Sequence, residues 1–474
     1  MNWKKLLCEK RRRGYSTTSV SDDPRNEFQR DYHRIIGSAS FRRLQDKTQV
    51  FPLDRGDFVR TRLTHSLEVS SFAKSLGQMI FRRIVAEVKD SGLEAQDIEK
   101  ICSILECAGL IHDIGNPPFG HFGEDFVRDW FVRNLPKMEL GGKKLDELLE
   151  PQMREDLYHF EGNAQALRLL TKLHYLVDEN GMNLTYGLLN TIIKYPVPST
   201  AVNKKSGNIK DKKMGYYYAD RDIYEDIVKN TGAVNCRHPL AFILEAADDI
   251  AYKTADMEDA VKKGFLTCPK LIFELKNTYI SKCGNEKQKA VMERAVSKLE
   301  YYYGQALEKQ LSSPEQNAVQ RWIIYVQGVL LRAASASFID NYSAIMDGDF
   351  PRELLAASDS ETLAYALGDM AYRFVFCSKE IYSLEIGAGE IYEFLLSKLT
   401  RAAVVFDTDY AGSAIEQRVM RLVSENYIRA YRFGSEGKNE TEKLYLRLML
   451  VTDYICGMTD SYAKKLYTEL SGIG

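Results

Sequence analysis

The stretch THSLEVSSFAKSLGQMIFRRIVAEVKD, residues 64–90, repeats apolar side chains every three or four positions. That spacing predicts a long helix with one buried face. The same rhythm recurs near 97–111, 121–134, 158–177, 238–263, 286–311, 315–344, 359–382, 386–400, 412–432 and 439–456. Alternating runs bounded by turn residues are nearly absent, so at most a short hairpin is expected, around 205–220. The fold class read from the pattern is all-α, a bundle of helices.

With 474 residues, 45% of them hydrophobic and 27% charged, the chain has ordinary globular composition and ample length for a core. No linker rich in Pro, Gly or Ser divides it, and no repeat of fixed period is present. One large helical domain over 1–474 is expected. Lys and Arg number 64 against 66 Asp and Glu, leaving no global field to attract nucleic acid or an anionic membrane. No apolar run approaches the roughly 20 residues of a membrane span. The N-terminus MNWKKLLCEKRRRGYS is basic without the apolar segment of a secretory signal. Eight scattered cysteines with no C-x-x-C pair read as small hydrophobes in a reducing compartment, which places the protein in the cytoplasm. The polar segment NKKSGNIKDKKMG, 203–215, reads first as a solvated loop and second as a flap that collects phosphate.

Chemistry concentrates in GLIHDIGNPPFGHFGE, 109–124, which holds two of the seven histidines. His112 and Asp113 end an apolar helix, where Gly115, Pro117 and Pro118 force an irregular turn. A carboxylate at such a place is costly unless a cation meets it. His65 opens the 64–90 helix, and Asp248 with Asp249 interrupts the apolar LEAADDIAY. Two imidazoles and two carboxylates on separate helices form a borderline-to-hard ligand set for a single divalent ion, suited to Mn²⁺, Fe²⁺, Mg²⁺ or Zn²⁺. His121 and Glu124 stand one helical turn apart, on one face.

These residues lie in a series of ordered blocks: FQRDYHRIIGSASFRRLQDKTQVFPL (28–53), RTRLTHSLEV (60–69), IHDIGNPPFGHFGE (111–124), HFEGNAQALRLL (159–170), IIKYP (192–196), LEAADDIAYKTADMEDAV (244–261) and DYICGMTDSYA (453–463). In content and order they resemble the HD-domain metal-dependent phosphohydrolases, and among them the bacterial deoxyguanosine triphosphate triphosphohydrolases. The resemblance implies an HD core over about 60–260 and a helical C-terminal elaboration over about 265–474.

It also implies hydrolysis of dGTP, or dNTPs generally, to a deoxynucleoside and inorganic triphosphate by water attack at the α-phosphorus. His65, His112, Asp113 and Asp248 would hold the metal, with His121 and Glu124 as the acid–base pair; His121 is read as donating a proton to the departing 5′ oxygen. Arg62, Lys194 and Tyr195 would meet the phosphates. Asn116 follows the bacterial form of its motif and is grouped with the substrate contacts. Tyr252 and Asp256, at i+4 and i+8 from Asp248, would pack under the ribose and bind the 3′-hydroxyl together with Gln49, excluding a 2′-hydroxyl. Asp249 reads as a supporting group or an arginine's partner. The family assembles as hexamers, and some members respond to nucleotides or single-stranded DNA.

The sequence leaves other readings open. They are an HD phosphohydrolase acting on another nucleotide, a dNTP sensor without turnover and, more weakly, a nucleic-acid-binding protein, which lacks its basic stripe here.

Overall fold

In the computed structural model, which describes residues 1–14, 23–53, 59–88, 92–174, 178–410 and 412–472, the 64–90 repeat becomes the helix Arg62–Glu87. Val69, Ala73, Leu76, Ile80 and Ile84 form its buried stripe at steps of three and four. Helices follow at Asp97–Ile111, Gly120–Asn134, Pro239–Lys262, Glu286–Glu308, Pro314–Asp340, Glu361–Ala371, Lys379–Val405 and Glu440–Cys456, close to the periodic stretches. Several stretches are interrupted, 315–344 at Asn341 and 359–382 by a π turn over Tyr372–Phe376 among them. The 158–177 pattern becomes the helix Gly162–Arg168 and a wider π turn over Leu169–Leu173. The 412–432 pattern divides into Ala414–Met420 and Glu425–Ser435, each preceded by a serine at its N-cap.

Among the described residues the strands are Glu139–Leu140 and Lys143–Lys144, paired across Gly141-Gly142, both at positive φ. The hairpin expected around 205–220 does not form. Short 3₁₀ turns stand at Ile209–Asp211 and Tyr218–Asp220, with one bridge between Pro198 and Tyr216. The reason is local. Asn203, Ser206 and Asn208 accept hydrogen bonds from backbone amides two residues away, which gives this segment turns in place of ladders.

The chain divides into two compact units. The first comprises Met1–Ser66, Leu110–His238 and Leu384–Gly474. Trp3, Phe28, Trp130, Phe131, Tyr217, Tyr392 and Tyr445 are buried in it. A charged network runs through this core. Buried Arg168 donates to both carboxylate oxygens of Asp453 (2.7 and 2.8 Å) and to Asp220 (3.3 Å), while Gln165 donates to Asp453 (2.8 Å). These bonds tie the Gly162–Arg168 helix to Glu440–Cys456. The basic N-terminal stretch is folded in through Arg11, which pairs with Asp31 and Glu27.

The second unit comprises Leu67–Gly109 and Pro239–Ser383. Its helix Pro314–Asp340 is, among the described residues, long and apolar enough to match a membrane span by length and composition, an exception to the reading of apolar runs above. Trp322, Val326, Leu330, Ala334 and Phe338 are nevertheless buried within the unit. Trp322 donates to the Ala295 carbonyl (2.8 Å) and Gln327 to Thr254 (3.0 Å), so the helix packs against Glu286–Glu308 and Pro239–Lys262.

Replacing Arg168 by Met leaves Asp453 buried without its cation, while Asp220 keeps Lys172 at 3.0 Å. The expected cost is about 3–5 kcal/mol, read from urea unfolding. A loss below about 1 kcal/mol, the size of a surface pair, would show that this network does not organise the first unit.

Candidate metal centre and acid–base pair

His65 stands in the first turn of Arg62–Glu87, and His112 and Asp113 follow directly on Asp97–Ile111. The first unit thus brings two imidazoles and a carboxylate together, each offering a ligand atom within 4.8 Å of the others. The rings of His65 and His112 meet edge to face, with centroids 5.3 Å apart. His112 Nε2 lies 3.6 Å from Asp113 Oδ2. Both histidines are almost fully buried. Ligand atoms at about 2.0–2.2 Å from a first-row ion stand at most slightly more than 4 Å apart, so small side-chain movements close this set around one cation. The donors fit a divalent metal of the borderline-to-hard class.

Asp113 is held on both oxygens. Asn116 Nδ2 donates to Oδ1 (2.8 Å), and Arg62 pairs with Oδ2. Asn116, expected among the substrate contacts, therefore orients a candidate ligand. Arg62 is 2% exposed, and its Nε has no hydrogen-bond partner among the described residues, leaving a buried donor for an anion. Gly115 serves packing more than substrate approach. A Cβ there would stand 2.2 Å from the Ala166 amide nitrogen, so only glycine lets this turn lie against Gly162–Arg168.

One turn on, His121 Nδ1 lies 3.2 Å from Glu124 Oε2. Glu124 is buried, whereas the His121 side chain is 77% exposed and reaches outward. The other carboxylate oxygen of Glu124 accepts from the Gly162 amide (2.7 Å), and Arg128 stands 3.7 Å away. Burial pushes the Glu124 carboxyl up, but the bond and charge of His121, with Lys213 and Arg128, outweigh it and hold the group at about 2. The hydrogen bond to Glu124, with that carboxylate's charge, raises His121 above the ordinary imidazole value against desolvation and the charges of Arg62 and Lys213. The pair is an oriented imidazole stabilised in its protonated form.

Lys194 and Tyr195 are buried, and the Arg237 guanidinium lies over the Tyr195 ring at 5.4 Å and donates to the Lys194 carbonyl. Gln49 presents a buried Oε1 with no partner among the described residues. In the second unit, Asp248, Tyr252 and Asp256 share the helix Pro239–Lys262. Burial raises the Tyr252 phenol, and the neighbouring carboxylates of Asp256, Asp248 and Asp249 raise it further. Tyr252 stacks on Phe376 at 6.1 Å. Asp249 pairs with Lys253 (2.7 Å), its partner a lysine one turn along the same helix.

Sequence reasoning missed Glu161 and Lys213. Lys213 Nζ leaves the 203–215 loop to reach Glu161 Oε1 (2.8 Å), which also accepts from Asn163 (2.7 Å). Lys213 thereby enters the field of His121 and Glu124. Burial, then the nearby Glu124, raises the Glu161 carboxyl. The one sequence signal was the lysine density of the loop, which did not single out Lys213.

The HD domain family matches residues 62–174. A deoxyguanosinetriphosphate triphosphohydrolase-like protein of Listeria monocytogenes is 48% identical over the full length of both chains. A probable deoxyguanosinetriphosphate triphosphohydrolase of Pseudomonas aeruginosa is 34% identical, covering 97% of this chain and 96% of its own. A deoxyguanosinetriphosphate triphosphohydrolase of Yersinia enterocolitica is 34% identical, covering 94% and 93%. An HD domain with a His-His-Asp group makes this a divalent-metal phosphohydrolase.

The pH dependence of the His121–Glu124 pair follows from its two shifts. Glu124 is depressed, so its contribution is present above its ordinary 4.5 and is lost as pH falls toward about 2. His121 is raised, so its contribution is complete below its ordinary 6.5 and is lost as pH rises through the folded value. Glu124→Gln should therefore destabilise most between about pH 4.5 and 6.5 and lower the His121 midpoint in an NMR titration. An unmoved midpoint would mean that the pair is not coupled.

Proposed function

We propose, on the premise that this chain belongs to the deoxyguanosinetriphosphate triphosphohydrolase family of HD-domain enzymes, that it hydrolyses dGTP and related dNTPs to deoxynucleoside and inorganic triphosphate. The observation that carries this reading is the meeting of His65, His112 and Asp113 one turn before an oriented His121–Glu124 pair. The motif LEAADDIAY assigns Asp248 as the fourth ligand. When bound, a divalent ion, Mn²⁺ or Mg²⁺ with Fe²⁺ or another transition metal also compatible with the donors, would supply Lewis acidity to the α-phosphate.

The chain's own residues do the rest. Arg62, Lys194 and Lys213 offset the charge of the triphosphate. Protonated His121, oriented by Glu124, gives its proton to the 5′ oxygen as water attacks the α-phosphorus and the ester bond breaks. Gln49 and Asp256 take the 3′-hydroxyl, and Tyr252 fills the space a 2′-hydroxyl would need. By the same family likeness the enzyme is a homo-oligomer, a hexamer in the family pattern, in a family where some members respond to nucleotides or single-stranded DNA; its scattered free cysteines favour the cytoplasm.

A dNTP sensor without turnover has no use for the His121–Glu124 pair, which favours catalysis. An HD enzyme acting on another nucleotide would give other products.

Chromatography of products from each dNTP and from GTP, with Mn²⁺ or Mg²⁺, tests the reading. Tripolyphosphate is expected from dGTP and little from GTP; release of pyrophosphate or monophosphate would reject the mechanism. His121→Ala should keep metal and lose turnover by about 10²–10⁴-fold. Asp113→Ala should lose both. Near-normal turnover in His121→Ala would remove the acid–base assignment.

A further inference from the structure

The block DYICGMTDSYA, 453–463, is not used in the chemistry above, yet its last acidic residue lies against it. Asp460, 1% exposed, opens the helix Asp460–Ser471. One carboxylate oxygen accepts from the Phe119 amide (2.9 Å). The other accepts from the Thr48 amide (3.0 Å) and the Thr48 hydroxyl. Thr48 immediately precedes Gln49, and Phe119 stands two residues before His121.

Two neighbours continue the pattern. Lys47 Nζ, buried, donates to the carbonyls of Asn116 and Cys456 (both 2.6 Å). The Tyr392 hydroxyl donates to the Pro118 carbonyl (2.6 Å). Backbone groups at 116, 118 and 119 are thus each held by a buried side chain from a distant part of the first unit.

The turn needs such holding. Phe119 sits at φ +59° and Gly120 at φ +63°, and a non-glycine residue keeps that conformation only where its surroundings impose it. Phe119 is also the N-cap of Gly120–Asn134 and offers no side-chain cap. The start of that helix, and with it the direction of His121, therefore depends on bonds from outside.

We infer that Asp460 is a positioning residue that sets the segment carrying Gln49 and the turn carrying His121 in fixed register. The claim rests on the roles proposed above: Gln49 reads the sugar at one end of the scissile ester, and His121 protonates the oxygen at that ester. A carboxylate serves because all three of its partners are N–H or O–H donors. An asparagine in its place would turn one NH₂ toward a donor and break one arm.

The test is Asp460→Asn, with Thr48→Val as a milder variant that removes only the hydroxyl bond. Each is compared with the unmodified enzyme and with His121→Ala on three substrates. These are dGTP; its analogue with sulfur bridging C5′ and the α-phosphorus; and the 2′,3′-dideoxy nucleotide. In the sulfur analogue the P–S bond breaks and the thiolate leaves with its electron pair, needing no proton. Asp460→Asn should lower kcat on dGTP by about 100-fold, with a loss of at most about 5-fold on the sulfur analogue. It should also narrow the preference for dGTP over the dideoxy nucleotide, while Mn²⁺ affinity and melting temperature stay close to the parent's. Thr48→Val should follow in the same direction with a smaller change.

Wild-type kcat and 3′-hydroxyl preference in Asp460→Asn, or equal losses on the oxygen and sulfur substrates, would overturn the inference. If His121→Ala itself spared the sulfur analogue no more than dGTP, the proton-donor role would fail instead. The dideoxy comparison would then still decide whether Asp460 sets the Gln49 arm.

Discussion

The backbone from Asp113 to His121 is irregular and buried over most of its length, and buried backbone polar groups must find partners. Much of the first unit answers that requirement. Asn116 turns its side chain back onto Asp113, Lys47 and Tyr392 take carbonyls, and Asp460 takes an amide. Gly162 gives its amide to Glu124 at a point where a Cβ would stand 2.1 Å from Asn116 Oδ1. His112 and Asp113 open a short non-helical segment fixed from several sides, and His121 and Glu124 stand in the first turns of the helix that follows it. Such over-determination is what holds reacting groups within the narrow tolerance catalysis needs.

The same compactness shapes the electrostatics. Asp113, Glu124 and Glu161 are each matched by a cation: Arg62, His121 and Lys213. A polyanionic substrate therefore enters a field in which positive groups already stand in place but are engaged by carboxylates. On the proposed function, binding would exchange one set of anionic partners for another, with no net positive patch needed, in keeping with a formal charge of only −2 on the whole chain.

The helices could be read from apolar spacing alone because each buries one continuous stripe, as Val69 to Ile84 do. His65, His112 and Asp113 could be read because residues costly to bury stood at the ends of apolar helices. Polar groups acting through the backbone left no such mark. Lys47, Thr48 and Asp460 are ordinary residues in sequence, and their role depends on a meeting of segments about 70 and 340–410 residues apart, which no local pattern encodes. Lys213 escaped for a related reason, being one lysine among several in a polar loop. The hairpin expected around 205–220 does not form because the side chains of Asn203, Ser206 and Asn208 accept from nearby backbone amides and hold this stretch in turns.

The central claim is that His65 and His112, from separate helices, bind one divalent ion with Asp113. Pulsed EPR of the Mn²⁺-loaded protein, with histidine nitrogens isotopically labelled, measures this directly. Couplings from two imidazole nitrogens are expected, one of them lost in each of His65→Ala and His112→Ala. A Mn²⁺ signal coupled to no histidine nitrogen, or unchanged by both substitutions, would contradict it.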